Sequence, residues 1–85
     1  LYKIEFTIDA LKALAGMPAN TAKLIRSKID LLAVNPAAPN NNVKRLKGGS
    51  LCRLRVGDWR VVYEVRNDML VIVVVKIAPR RSVHD

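Results

Sequence analysis

With 85 residues the chain holds material for one modest core and too little for two, so any site sits on a single domain, 1–85. Hydrophobic residues make up 51% of it and aromatics only 5%, which leaves the core to Leu, Ile, Val and Ala and excludes a wholly disordered chain. A lone cysteine, Cys52, excludes an internal disulfide, a lone His beside it excludes a zinc-type cluster, and a net charge of +8 favours polyanionic partners.

Residues Tyr2 to Phe6 alternate in polarity and predict a short strand with Tyr2, Ile4 and Phe6 on one side. Thr7 or Asp9 can cap the helix that follows, which carries Leu11 and Leu14 inward and stops at Gly16. Pro18 suits the first turn of a second helix. On that helix Ala22, Ile25, Ile29 and Leu32 recur at three- and four-residue steps, while Lys23, Arg26 and Asp30 fall on or near the other side. The two helices form a hairpin. The run from Asn35 through Pro36 and Pro39 to Asn42 ends it, because proline cannot continue a helix and asparagine prefers turns.

From Leu51 the pattern turns to β, with strands over Leu51 to Val56, Trp59 to Val65 and Leu70 to Ala78. Gly57-Asp58 and Asn67-Asp68 read as two-residue hairpin connections whose first members tolerate positive φ. Leu70 to Val75 is apolar at every position, which calls for burial on both faces and a central place in the sheet, with the first strand beside it. The expected fold is α+β, ordered β-α-α-β-β-β, with the helical hairpin packed on one face of a four-stranded, mostly antiparallel, twisted sheet. No apolar run approaches the roughly 18 to 20 residues of a membrane span, and the opening residues lack a signal-peptide pattern, so the expected location is cytoplasmic; Leu1 in place of Met leaves a removed leader open.

The positive charge is uneven. Residues 1–42 carry five Lys/Arg against three Asp/Glu, and residues 43–85 carry ten against four. Period-two geometry puts Arg53 and Arg55 on one face of their strand. Arg60, Val62 and Glu64 share a face of the next, whereas Trp59, Val61, Tyr63 and Val65 share the other and belong to the core. Cys52 alternates with Arg53 and should also face the core. Arg80, Arg81 and His84 follow the last strand, and Lys44, Arg45 and Lys47 extend the positive field. Plainer readings exist for each: Arg53 and Arg55 as charges guarding a sheet edge, Glu64 as the partner of a cross-strand arginine rather than a base, and His84 as an idle terminal residue.

The run Leu46-Lys47-Gly48, then Arg53-Leu54-Arg55-Val56-Gly57-Asp58-Trp59-Arg60-Val61-Val62-Tyr63-Glu64-Val65, and finally Arg80-Arg81-Ser82-Val83-His84, resembles RelE-type toxins of bacterial and archaeal toxin–antitoxin pairs. The resemblance extends over nearly the whole chain and implies membership of the RelE/ParE superfamily and its RelE-like microbial ribonuclease fold. RelE-like members cleave messenger RNA in the ribosomal A site; ParE-like members share the scaffold and poison DNA gyrase. Arg53 and Arg55 match two basic positions of the second strand, Arg60 the arginine of the next, and Arg80 the one past the last strand. His84 takes the place of a late tyrosine. Arginine at 53 and 55, where lysine is common, is a poor proton acceptor.

That resemblance implies attack of a ribose 2′-hydroxyl on the adjacent phosphate without metal or cofactor. Arg55, Arg60, Arg80 and His84 are the expected catalytic residues. Arg60 and Arg80 would hold the phosphorane oxygens, and His84, with an ordinary pKa near ~6.5, would transfer the proton. Lys44, Arg45, Lys47, Arg53 and Arg81 are the expected contacts to RNA and ribosome. An acidic RelB-like antitoxin is the expected protein partner, in a hetero-oligomeric complex, with messenger RNA and ribosomal RNA as targets and no membrane. The alternatives are a gyrase poison or a degenerate member that only binds its antitoxin.

Overall fold

Alternating exposure along Lys3–Phe6 makes β1, and in the computed structural model, which describes residues 1–82, the chain passes from it straight into a helix. Thr7 caps α1 (Ile8–Gly16), its hydroxyl accepting from the Ala10 N–H at 3.2 Å. The inward stripe is Ala10 and Leu14. Leu11, expected inside, is 45% exposed, because it stands about 100° around the helix from Ala10 and so misses that stripe. Helix α2 (Ala19–Val34) buries Ile25, Ile29, Leu32 and Ala33, with Ala22 packed at the margin of the core. Pro18 is the cap itself rather than a first-turn residue; its carbonyl accepts from the Ala22 N–H at 3.0 Å.

The sheet has five strands, not four: β2 (Val43–Arg45), β3 (Leu51–Val56), β4 (Trp59–Arg66) and β5 (Val71–Pro79) join β1 in the order β1-β5-β4-β3-β2. Strand β1 runs parallel to the central β5, and the other pairings are antiparallel. The extra strand, β2, is three residues with one apolar side chain, too short for an alternating pattern to register in the sequence. Gly57, at φ 57, turns β3 into β4 through the expected two residues. The β4–β5 connection is longer than expected: residues 67–70 separate Arg66 from its partner Val71, and Leu70 takes φ 54. Leu70 therefore leaves the strand, and its carbonyl accepts from the Lys3 N–H at 2.8 Å.

Both helices pack against one sheet face, where Cys52, Leu54, Trp59, Val61, Tyr63 and Ile72 meet Leu14, Ile25 and Ile29. Between Val62 and Tyr63 the β4–β5 register slips by one residue. Strand β5 therefore presents Ile77 to the core at one end and Val74 and Ile72 at the other. The slip leaves the Val75 carbonyl for the Thr7 hydroxyl, which donates to it at 2.6 Å, while the Thr7 N–H reaches the Val74 carbonyl at 3.0 Å. One side chain thus ends β1, starts α1 and satisfies the bulge. No helix among the described residues is long and apolar enough to cross a membrane.

Replacing Thr7 by Val removes both hydroxyl contacts at nearly constant volume and is expected to cost about 1–3 kcal/mol in a urea unfolding titration. Thr7→Ser keeps most of that stability; equal losses for the two variants would contradict this role.

Candidate nucleic-acid interface

The strand register sorts the charges of the helix-free face into two transverse rows. In the first, Lys44 lies opposite Arg53, Arg53 opposite Val62, and Val62 opposite Lys76. In the second, Arg55 lies opposite Arg60 and Arg60 opposite Ala78. Like charges placed directly across a sheet repel, and here Lys44 faces Arg53 while Arg55 faces Arg60. Val62 and Ala78 form a buried apolar floor between them.

Arg60 is the buried member, 8% exposed. Its Nη1 donates to the carbonyls of Gly57 at 2.9 Å and Trp59 at 3.0 Å, so one corner of the guanidinium is fixed to the β3–β4 turn. Desolvation pulls its pKa below the ordinary guanidinium value, and the positive charges of Arg53, Arg55 and Arg80 pull it further, with Asp58 acting the other way. Arg60 stays protonated regardless. Three guanidinium groups, two from β3 and one from the turn after β5, therefore act on the one in β4. Arg55 is steadied by Asn42, whose side-chain oxygen accepts from Nη2 at 3.1 Å and whose carbonyl accepts from the Arg55 N–H at 2.8 Å.

Arg80 opens a single 3-10 turn, Arg80–Ser82, straight after β5. Its N–H donates to the Asp58 carbonyl at 2.8 Å, which ties that turn to the β3–β4 hairpin. Between the two lies an open cavity of about 360 Å3 lined by Asp58, Pro79, Arg80 and Arg81.

Of the residues singled out in the sequence, Arg53, Arg55, Arg60, Arg80 and Lys44 come together, and Arg81 stands at the neighbouring cavity. Arg45 does not join them: it lies opposite Cys52 and faces the helix side, beside a cavity of about 200 Å3 shared with Pro36 and Ala37. Lys47 sits exposed in the turn between β2 and β3. His84 lies outside the described residues. Sequence reasoning missed Asn42, Asp58 and Lys76. Lys76 left a signal, as the one charge interrupting an otherwise apolar strand.

Known proteins share this fold. The family model for the ParE toxin of type II toxin–antitoxin systems matches residues 4–83. The RelE1 toxin candidate of Methanocaldococcus jannaschii is 32% identical over 85 residues, covering 98% of this chain and 94% of that protein. The chain belongs to the RelE/ParE superfamily of toxins. The toxin superposes on RelE in the archaeal RelE–RelB complex of Pyrococcus horikoshii with a TM-score of 0.81 and 30% identity, covering 93% of this chain and 94% of that one. The intact Escherichia coli RelBE complex shares the fold at a TM-score of 0.79 and 20% identity, covering 93% and 96%.

Two further groups of the toxin's sheet are settled by their surroundings. Burial, and then Cys52 beside it, pushes the Tyr63 phenol up, so it remains a neutral packing group. Glu64 does pair with an arginine, though along its own strand rather than across the sheet: Arg66 Nε lies 2.7 Å from Oε1, and the Ser50 hydroxyl donates to Oε2 at 2.6 Å. Ser50 first and Arg66 second hold its carboxyl below the usual carboxylate range. A pKa lowered on folding contributes stability that is complete above the unfolded value and disappears as the pH falls through the native one. In urea titrations from pH 7 to pH 2, the wild type is therefore expected to lose an advantage over Glu64→Gln in the acid range, with the two curves parallel above about pH 5.5. Parallel curves over the whole range would remove Glu64 from the network.

Proposed function

We propose that the chain is the toxin of a type II toxin–antitoxin pair and a metal-independent endoribonuclease that cuts messenger RNA in the ribosomal A site. The observation that carries this reading is the convergence of Arg53, Arg55, Arg60 and Arg80, with Arg60 buried among its like charges. Like charges gathered in this way suit a polyanion, and a phosphodiester brings a negative charge that can lie among them.

In this reading the scissile phosphate lies over the Arg55–Arg60 row, and Arg80 closes on it from the side. The 2′-oxygen attacks phosphorus, the bond to the 5′-oxygen breaks, and the products are a cyclic phosphate and a 5′-hydroxyl end. Charge-assisted bonds from the arginines to the equatorial oxygens stabilise the transition state, and the corner of Arg60 already held by two carbonyls lowers the cost of reorganising it. His84 carries the proton. Lys44, Arg53, Lys76 and Arg81 steer the RNA, and their field raises the encounter rate with ribosomal RNA. The reaction belongs in the cytoplasm, where ribosomes are.

An acidic RelB-like antitoxin would hold the toxin neutral in a hetero-oligomer. Ile8, Leu24, Leu31 and Val34 are apolar and between 50% and 71% exposed on the helices, which supports a partner segment covering them. A second reading, a gyrase poison, is favoured by the family description, which names ParE.

A translation extract with a defined message, and 5′ ends mapped by primer extension, separates the two. Cuts inside codons are expected only with ribosomes present, reduced about a hundredfold or more by Arg55→Ala, Arg60→Ala or Arg80→Ala. Intact message alongside gyrase-linked DNA breaks would establish the second reading instead. His84→Ala is expected to slow cutting with ribosome affinity nearly unchanged, and cutting at the parental rate would remove His84 from the mechanism.

A further inference from the structure

The two transverse rows of the helix-free face lie two residues apart on each of the three strands they share. Arg53 precedes Arg55 on β3, Val62 follows Arg60 on β4, and Lys76 precedes Ala78 on β5. In the nuclease reading the scissile phosphate takes the Arg55–Arg60 row, which leaves Arg53 and Lys76 with only a general field to supply. Their placement is more particular than that. Buried Val62 lies between them in the register, so the strands that carry the two cations stand about 10 Å apart across a short apolar floor. Both have long side chains that keep a charged head above such a floor, and Lys44, across from Arg53 on β2, adds its charge from outside.

The separation of the rows matches a repeat of nucleic acid. Two residues of strand run through six covalent bonds and cover about 6.7 Å. One nucleotide also runs through six bonds, from one phosphorus to the next, and when extended reaches about the same length. A single strand laid along β3 and β4 therefore brings its phosphates to the rows in step. The track closes at one end: two residues beyond Val62 comes Glu64, whose carboxylate accepts from the Ser50 hydroxyl at 2.6 Å and from Arg66 Nε at 2.7 Å. A further phosphate on that side would meet an acid.

We infer that Arg53 and Lys76 form a second phosphate subsite, which takes the phosphodiester adjacent to the one that is cut and aligns the RNA strand along β3 and β4. Arg53 offers a planar fork to two oxygens of one phosphate, and Lys76 closes on it from the other side of Val62 as a point charge. The inference rests on the nuclease reading for the first phosphate, over Arg55 and Arg60. It adds a direction for the strand across the sheet and a smallest tight-binding ligand, one with two consecutive phosphodiesters.

The test uses three 2′-deoxy trinucleotides of one base sequence, which bind without reacting. One has two phosphodiester linkages, and in each of the others one linkage or its neighbour is an uncharged methylphosphonate. Their Kd values are measured by calorimetry over a salt series. The doubly charged compound is expected to bind about tenfold tighter than either singly charged one at low salt, with a dependence of log Kd on log salt steeper by about 0.7, the share of one phosphate. Lys76→Gln and Arg53→Gln are each expected to shrink that gap to about threefold or less. Equal binding of the three compounds would overturn the subsite. So would variants that weaken all three by one common factor, since Arg53 and Lys76 would then supply a field and no site. A gap that Lys76→Gln closes, in a protein that leaves messages whole, would sink the nuclease reading and keep the subsite.

Discussion

A buried guanidinium ringed by three others is held in place here by two carbonyl oxygens. Arg60 gives one nitrogen to Gly57 and Trp59, and that fixes both its own position and the shape of the β3–β4 turn. Burial first, and then the charges of Arg53, Arg55 and Arg80, work against its positive charge. With those two bonds, the fold holds a concentrated positive charge over a floor of Val62 and Ala78. Such local destabilisation is ordinary at functional sites, where charge is arranged for a ligand and not for the folded chain.

The rest of the sheet serves that arrangement. Strand β5 sits between β1 and β4 and brings Arg80 back to the β3–β4 turn, where the Asp58 carbonyl fastens it. Strand β2 covers the outer side of β3, so Arg53 and Arg55 do not lie on a sheet edge and their charge has no guarding function there. It also sets Lys44 across from Arg53 and lets Asn42 hold Arg55 from outside. The bulge in β5 turns Lys76 and Ala78 to the basic face while Val74 and Ile72 stay in the core.

Much of this was legible in the sequence, for identifiable reasons. The α2 stripe, the central position of the Val71–Pro79 strand and the two-residue Gly57 turn all follow from strong periodic or positive-φ signals. The face shared by Arg53 and Arg55 follows from alternation, and the two-residue turn at Gly57 carries Arg60 onto it. Other features left no trace. A bulge inside Val71–Val75 is invisible because either register puts a β-branched side chain inward. Strand β2 is too short to show a period. Leu70 in left-handed backbone departs from the Asn or Gly that marks such a position in sequence. Asp58 read only as a turn residue, since its place beside Arg80 depends on the far end of β5.

Whether these guanidinium groups share a single anion can be read from NMR of the arginine side chains. The Nε–Hε signals would be followed while adding a dinucleotide whose attacking ribose lacks its 2′-hydroxyl, so that it binds without reacting. Arg55, Arg60 and Arg80 are expected to respond together with one common Kd that weakens as salt rises. Separate Kd values for the three, or a response from one alone, would contradict a shared anion.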